Sequence, residues 1–194
     1  MNFLAHIYLS GDNESITIGN FIADGIKGKK YLMYPKEIQK GILLHRGIDS
    51  FTDQHPTVKQ STARLHKNYG HYSGVIVDIL YDHFLAKNWH DYHELPLDVY
   101  VDNFYELLRK NFQILPIRIQ RMMPYMIADN WLLSYATIPG ISKILVQMNV
   151  RTKGVSKMNF AVQELEEFYT EFETEFTSFF TELIIFSEEK LKVL

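Results

Sequence analysis

The chain has 194 residues, a net charge of −3 and no cysteine. That length suits one domain, the missing thiols exclude a disulfide framework and a thiolate metal site, and the negative balance argues against general nucleic-acid binding. No apolar run reaches the ~18 residues of a membrane-crossing helix, and the opening M-N-F-L-A-H-I-Y-L-S lacks the basic region of a signal peptide, so a cytoplasmic protein is the default expectation.

Residues 2–9 read as a short apolar helix ended near Gly11. A second helix is predicted over 14–26, capped by Asp12 or Asn13, with Gly19 permitting close helix packing at some cost in propensity. Gly25–Lys30 reads as a loop. Pro35 suits the first turn of a third helix reaching about Asp53, and Pro56 that of a fourth reaching about Asn68. Gly70 and Gly74 mark a break before a helix over 73–88, and 89–95 form a polar, aromatic connection. Pro96 starts a helix to about Asn111. Residues 115–137 are helical in pattern, with a kink or break expected at Pro124. Pro139-Gly140 reads as a turn, 141–150 as a short apolar helix closed by Arg151–Gly154, and 157–192 as one long helix. In that last segment Leu165, Phe172, Phe179 and Phe186 recur every seven residues, with Tyr169, Phe176 and Leu183 four further on, an amphipathic stripe with Glu opposite. No stretch alternates with period two, so the chain is read as all-α.

Three of these helices carry polar pairs four residues apart in apolar surroundings: Asn20/Asp24, His45/Asp49/Asp53, and Asp78/Asp82 with His83 adjacent. Residues at that spacing share a helix face. Carboxylates in apolar helices need a partner or a cation. Each pair alone is equally well a hydrogen-bonded couple in a core. Three together point to a metal site assembled between helices, and imidazole with carboxylate suits Mn2+, Fe2+, Zn2+ or Mg2+. His6 and His55 are additional candidates; a satisfied core histidine and a loop residue are the alternatives for them. H-E-x-x-H, P-loop and G-x-S-x-G motifs are absent, as is the paired E-x-x-H of di-iron bundles. Basic residues gather at Lys27–Lys30, at Arg118 and Arg121, and around Gly154 (Arg151, Lys153, Lys157), either as solvated loops or as a docking surface for an acidic partner.

The motifs M-N-F-L-A-H, G-N-F-I-A-D at 19–24, H-R-G-I-D-S-F-T-D-Q-H-P at 45–56, D-I-L-Y-D-H-F-L-A at 78–86 and N-W-L-L-S-Y at 130–135 resemble the acyl carrier protein phosphodiesterase family. The resemblance spans about residues 1–155. It implies a single multi-helix domain, an HD-like bundle with permuted helix order and a long C-terminal helix. It implies Mn2+-favouring removal of 4′-phosphopantetheine from holo-acyl carrier protein. Under it, Asp24, His45, Asp49, Asp78 and Asp82 form the metal-ligand set. His83 is a ligand, an orienting residue or a general acid; Asp53 acts as base or holds a histidine tautomer; Arg46 contacts the phosphate or pairs with Asp49 or Glu37. Lys27, Arg151 and Lys153 would steer the acidic carrier. Two other readings compete: an HD-like phosphohydrolase of small nucleotides or phosphate esters, and a non-catalytic helical binding protein. No membrane partner is expected, and the oligomeric state is not read from the sequence.

Overall fold

A computed structural model describes residues 2–194, and among them every regular element is helical. The first helix, α1 (Phe3–Tyr8), starts where the Asn2 side chain accepts the Phe3 N–H at 2.9 Å. The Asn13 carboxamide likewise caps α2 (Glu14–Ile22), accepting from Ser15 and Ile16. Two 3-10 segments, Ala23–Gly25 and Gly28–Met33, lead to α3 (Lys36–Gln54). Pro56 opens α4 (Pro56–Tyr69), and α5 (Ser73–Lys87) follows the short 3-10 turn Gly70–Tyr72. Then come α6 (Leu97–Lys110), α7 (Ile117–Ala128), α8 (Trp131–Ser134), α9 (Ile138–Arg151), α10 (Ala161–Glu167) and α11 (Tyr169–Val193).

The second helix, expected to reach 26, ends at Ile22, and three further boundaries differ from the sequence expectation. Helix α7 runs through Pro124, and the break falls at Asn130, which takes a left-handed conformation (φ 44°). Pro139 makes no turn; it sits in the first turn of α9, where a missing N–H costs nothing, and the Thr137 hydroxyl accepts from Gly140. The long C-terminal helix is interrupted at Phe168, whose backbone leaves the helical region (φ −113°, ψ 32°) while its ring lies 5.5 Å beneath the Arg64 guanidinium.

Helix α5 is apolar on all sides and forms the centre of the molecule: Ile76, Val77, Ile79, Leu80, Tyr81, Phe84 and Leu85 are buried. The phenylalanine stripe of α11 packs over α3, α4 and α5, with Phe172, Phe176, Phe179, Phe180 and Leu183 removed from water. One glutamate breaks the polar-side expectation. Glu175 is buried, hydrogen-bonded to Ser61 and forked to Arg64 at 2.6 and 2.8 Å.

The closest helix pair is α2 on α3. Their backbones meet at Gly19 and Gly41: a Cβ on Gly41 would strike the Ile16 carbonyl and the Gly19 Cα, and one on Gly19 the Ile38 carbonyl. This contact sets the site, because Asn20 follows Gly19 and His45 lies one turn beyond Gly41. The obstructing atoms are backbone, so Gly41→Ala must pry the helices apart. We expect a loss of about 3 kcal/mol, read as an earlier urea midpoint, together with weakened divalent-cation binding.

Candidate functional site

The α2–α3 contact places two imidazoles on one amide. Asn20 is fully buried, and its Nδ2 donates to the His6 carbonyl (2.8 Å) and the Ser10 hydroxyl (3.0 Å). That fixes its oxygen towards the rings, where Oδ1 accepts from His6 Nδ1 at 2.9 Å and from His45 Nδ1 at 3.1 Å. A carbonyl oxygen only accepts, so both rings carry a proton on Nδ1 and present Nε2 outward. The rings stack with centroids 3.9 Å apart.

Both Nε2 atoms face carboxylates. His45 Nε2 lies 3.1 Å from Asp49 and 3.2 Å from Asp24; His6 Nε2 lies 3.3 Å from the other Asp49 oxygen. Burial pulls His45 down, but the bonds to Asp24 and Asp49 outweigh it and hold its pKa at about 9. Burial and then the charge of His45 push His6 down to about 4. Asp49 is held well below the usual carboxylate range, its partial burial being overcome by the hydrogen bond from His45 and the nearness of both imidazoles; Asp24 is also lowered, chiefly by its bond to His45. Near neutrality His45 is therefore cationic and His6 neutral. The neutral His6 Nε2 is buried and, despite the proximity of Asp49, lacks a well-aligned hydrogen bond.

This donor set fits a divalent cation. His6, His45 and Asp49 offer three ligand atoms within 4.8 Å of one another, Asp24 adjoins them, and Asn20 fixes both histidine tautomers from behind. A cation would take the place of the His45 Nε2 proton and give the His6 lone pair a partner. The centre opens into a cavity of about 710 Å3.

The remaining expected residues divide. Asp53 and Asp78 line the cavity with Asp24, His45 and Asp49, and so does Arg151. Asp82 is elsewhere. It is fully buried, and its oxygens accept the backbone N–H groups of Asn2 (3.2 Å), Leu4 (2.7 Å) and Ala5 (3.4 Å), so it anchors the start of α1. His83 is also turned away: Nδ1 contacts the Tyr135 carbonyl at 2.7 Å and Nε2 the Tyr169 hydroxyl at 2.9 Å. Arg46 reaches neither a phosphate pocket nor Asp49 or Glu37. Its Nη2 donates to the carbonyls of Ile26 and Gly28, and its guanidinium lies over Tyr31. Lys27 precedes the Gly28–Met33 turn and Lys153 occupies a left-handed position (φ 55°); neither lines the cavity. His55 accepts the Thr57 N–H and so caps α4.

His6 and Asn20 were not in the ligand set read from sequence. Their signal was present in M-N-F-L-A-H and G-N-F-I-A-D, but α1 is a single short apolar helix in which a histidine reads equally well as core.

Asp82 acts on the centre through His6. Asp82→Ala leaves three N–H groups at the start of α1 without acceptors, and a loss of about 2 kcal/mol is expected, with weaker cation binding in calorimetry because α1 carries His6. Burial raises the Asp82 pKa to about 7 against the opposing pull of those N–H groups. An acid raised in the folded state contributes stability that is fully present below the unfolded value near 4 and lost as pH rises towards 7. The wild-type melting temperature should carry that decline, and Asp82→Asn should flatten it.

Together these features define an all-α protein with a histidine–carboxylate cluster opening into a large cavity. The family described as acyl carrier protein phosphodiesterase matches residues 1–183. Acyl carrier protein phosphodiesterase from Pectobacterium atrosepticum is 34% identical over 174 residues, covering 89% of this chain and 90% of the relative. The proteins of the same name from Yersinia pestis and Enterobacter sp. are 31% and 28% identical, the latter over 98% of this chain and 99% of its own length. The chain belongs to the acyl carrier protein phosphodiesterase family. No solved structure matches it.

Proposed function

We propose that this protein hydrolyses the phosphodiester between 4′-phosphopantetheine and the serine of a holo-acyl carrier protein, giving apo-carrier and free 4′-phosphopantetheine. The proposed cofactor is a divalent cation, Mn2+ before Mg2+, Fe2+ or Zn2+, held by His6, His45, Asp49 and Asp24. The observation that carries the reading is the buried, unbonded Nε2 of His6 beside Asp49, in a chain of this family. When bound, such a cation supplies charge against the phosphoryl oxygens and acidity to a water.

The chain's own residues do the rest. Asn20 keeps both Nδ1 protons in place. Asp53, one turn beyond Asp49 and on the cavity wall, is positioned to accept the proton of an attacking water. Arg118 and Arg151 give the cavity its positive wall; among the described residues Arg151 contacts only the Met148 sulfur, at 3.7 Å, leaving its guanidinium available to an anion.

The same wall suits the carrier. Beside these arginines, Tyr125 and Val150 are 68% and 70% exposed, a basic and apolar rim that matches an acidic amphipathic protein surface. Lys153, two residues beyond Arg151, and Lys27 are the remaining steering candidates. Added salt should slow the reaction by weakening this attraction.

The test is the intact mass of a holo-acyl carrier protein after incubation with the protein and Mn2+, with EDTA and Asp49→Ala as controls. Loss of the phosphopantetheine mass, abolished in both controls, is expected. An unchanged mass from protein that binds Mn2+ would move the substrate to a small phosphate ester.

A further inference from the structure

A second cavity, of about 690 Å3, adjoins the first and shares Thr52, Asp53, Val75 and Asp78 with it. Its walls are two helix faces. Lys59, Thr62, Ala63 and His66 recur at three- and four-residue steps along α4; His71, Gly74, Val75 and Asp78 do so on the segment leading into α5. Val58 forms part of its lining, and from Asp78 to His71 the trough extends about 10 Å at 1.5 Å per residue. It begins one helical turn beyond Asp49.

The junction holds an unsatisfied group. Thr52 is 3% exposed, and its hydroxyl has no hydrogen-bond partner among the described residues, although it lines both cavities. A buried hydroxyl without a partner costs about 1–3 kcal/mol, a cost that a ligand group reaching it would relieve.

A phosphodiester has two substituents, and the cavity that holds the centre meets a second one at Thr52, Asp53, Val75 and Asp78, one helical turn from Asp49. We propose that the α4–α5 trough is the subsite for the pantetheine arm, with Thr52 hydrogen-bonding it near the phosphate. This rests on the carrier reading given above. The arm is a neutral chain of amides ending in a thiol. The trough matches it: an open groove carrying Thr62, His66 and Lys59 as polar contacts, with small Ala63 and Gly74 leaving room. A Cβ on Gly74 would meet nothing within 4 Å, so the space there is open. The other cavity, with its arginines and broad exposed apolar rim, remains for the carrier. The trough thus makes the enzyme a reader of the arm as well as of the protein.

The experiment uses the Mn2+-loaded full chain and two probes in calorimetry, 4′-phosphopantetheine and inorganic phosphate. The variants are Thr52→Val, which removes the hydroxyl at constant shape, and Ala63→Trp and Gly74→Leu, which fill the trough from exposed or open positions. Wild type should bind 4′-phosphopantetheine at least tenfold more tightly than phosphate. Each variant should lose most of that difference with phosphate affinity unchanged, and should raise KM for holo-carrier. Wild type that turns over holo-carrier but binds the two probes equally, or filled variants that bind 4′-phosphopantetheine like wild type, would overturn the subsite and leave the activity standing. No release of the arm by wild type would remove both.

Discussion

Asp49→Ala is expected to abolish Mn2+ binding at the centre and to lower turnover of holo-carrier by about 10³-fold or more, at least the cost of losing a single preorganised charge contact. Asp49 touches both histidines, at 3.1 and 3.3 Å, and among the described residues no other carboxylate does so. Its side chain is partly open to water, so the variant should still fold, with its melting temperature lowered only by the lost pairing with His45. That combination separates the catalytic reading from a structural one. Asp24→Ala should be milder, because Asp24 reaches only His45. A variant of Asp49 that kept its cation and its turnover would place the centre elsewhere.

Glu175→Ala is expected to be the most destabilising single change, by about 3–5 kcal/mol, a fall of roughly 10 °C in Tm for a chain of this length. Removing the carboxylate leaves the half-buried Arg64 guanidinium without its fork and takes the acceptor from Ser61, whose hydroxyl also contacts Tyr81 at 2.7 Å. Arg64 is further enclosed by the Phe168 and Phe172 rings. The network ties α4 and α5 to α11, so its loss acts on the cover of the core while the centre at α2–α3 stays in place. Thermal unfolding of Glu175→Ala beside Glu175→Leu with Arg64→Met tests the cause. The double variant removes both charges and should recover much of the loss, whereas a purely steric role for Glu175 would leave it as unstable as the single change.

Helix content and most boundaries were legible because apolar periodicity and punctuation are local. Pro56, Asn13 and the heptad stripe of the last segment each state their role within a few residues. The exceptions are informative. Pro139 and Pro124 were read as interruptions because a proline opposes a helix interior, yet one lies in a first turn and the other in a helix that packing sustains. Phe168 interrupts the last helix in a stretch whose periodicity is unbroken, beneath a guanidinium from α4 that the sequence does not place.

The site divides in the same way. His45 and Asp49 share a face of α3 by spacing alone, whereas Asp24, read as a helix partner of Asn20, lies in the 3-10 turn Ala23–Gly25 beyond α2; Gly19 and Gly41 are where the two helices meet. Spacing says which residues share a face; it does not say what the face meets. Asp78 and Asp82 lie one turn apart on α5, but Asp78 faces the cavity and Asp82 faces the start of α1, where three N–H groups hold it. His83 likewise found a carbonyl and a hydroxyl from distant elements. The short helix α1, whose histidine read as well for core as for ligand, brings the second imidazole to the centre. By itself the sequence determined an all-α chain, its family and a set of histidines and carboxylates at helical spacing. Only the tertiary structure decided which buried polar groups satisfy one another and which are left facing the cavity, because a buried donor or acceptor takes its partner from whatever element folds against it, at any distance along the chain.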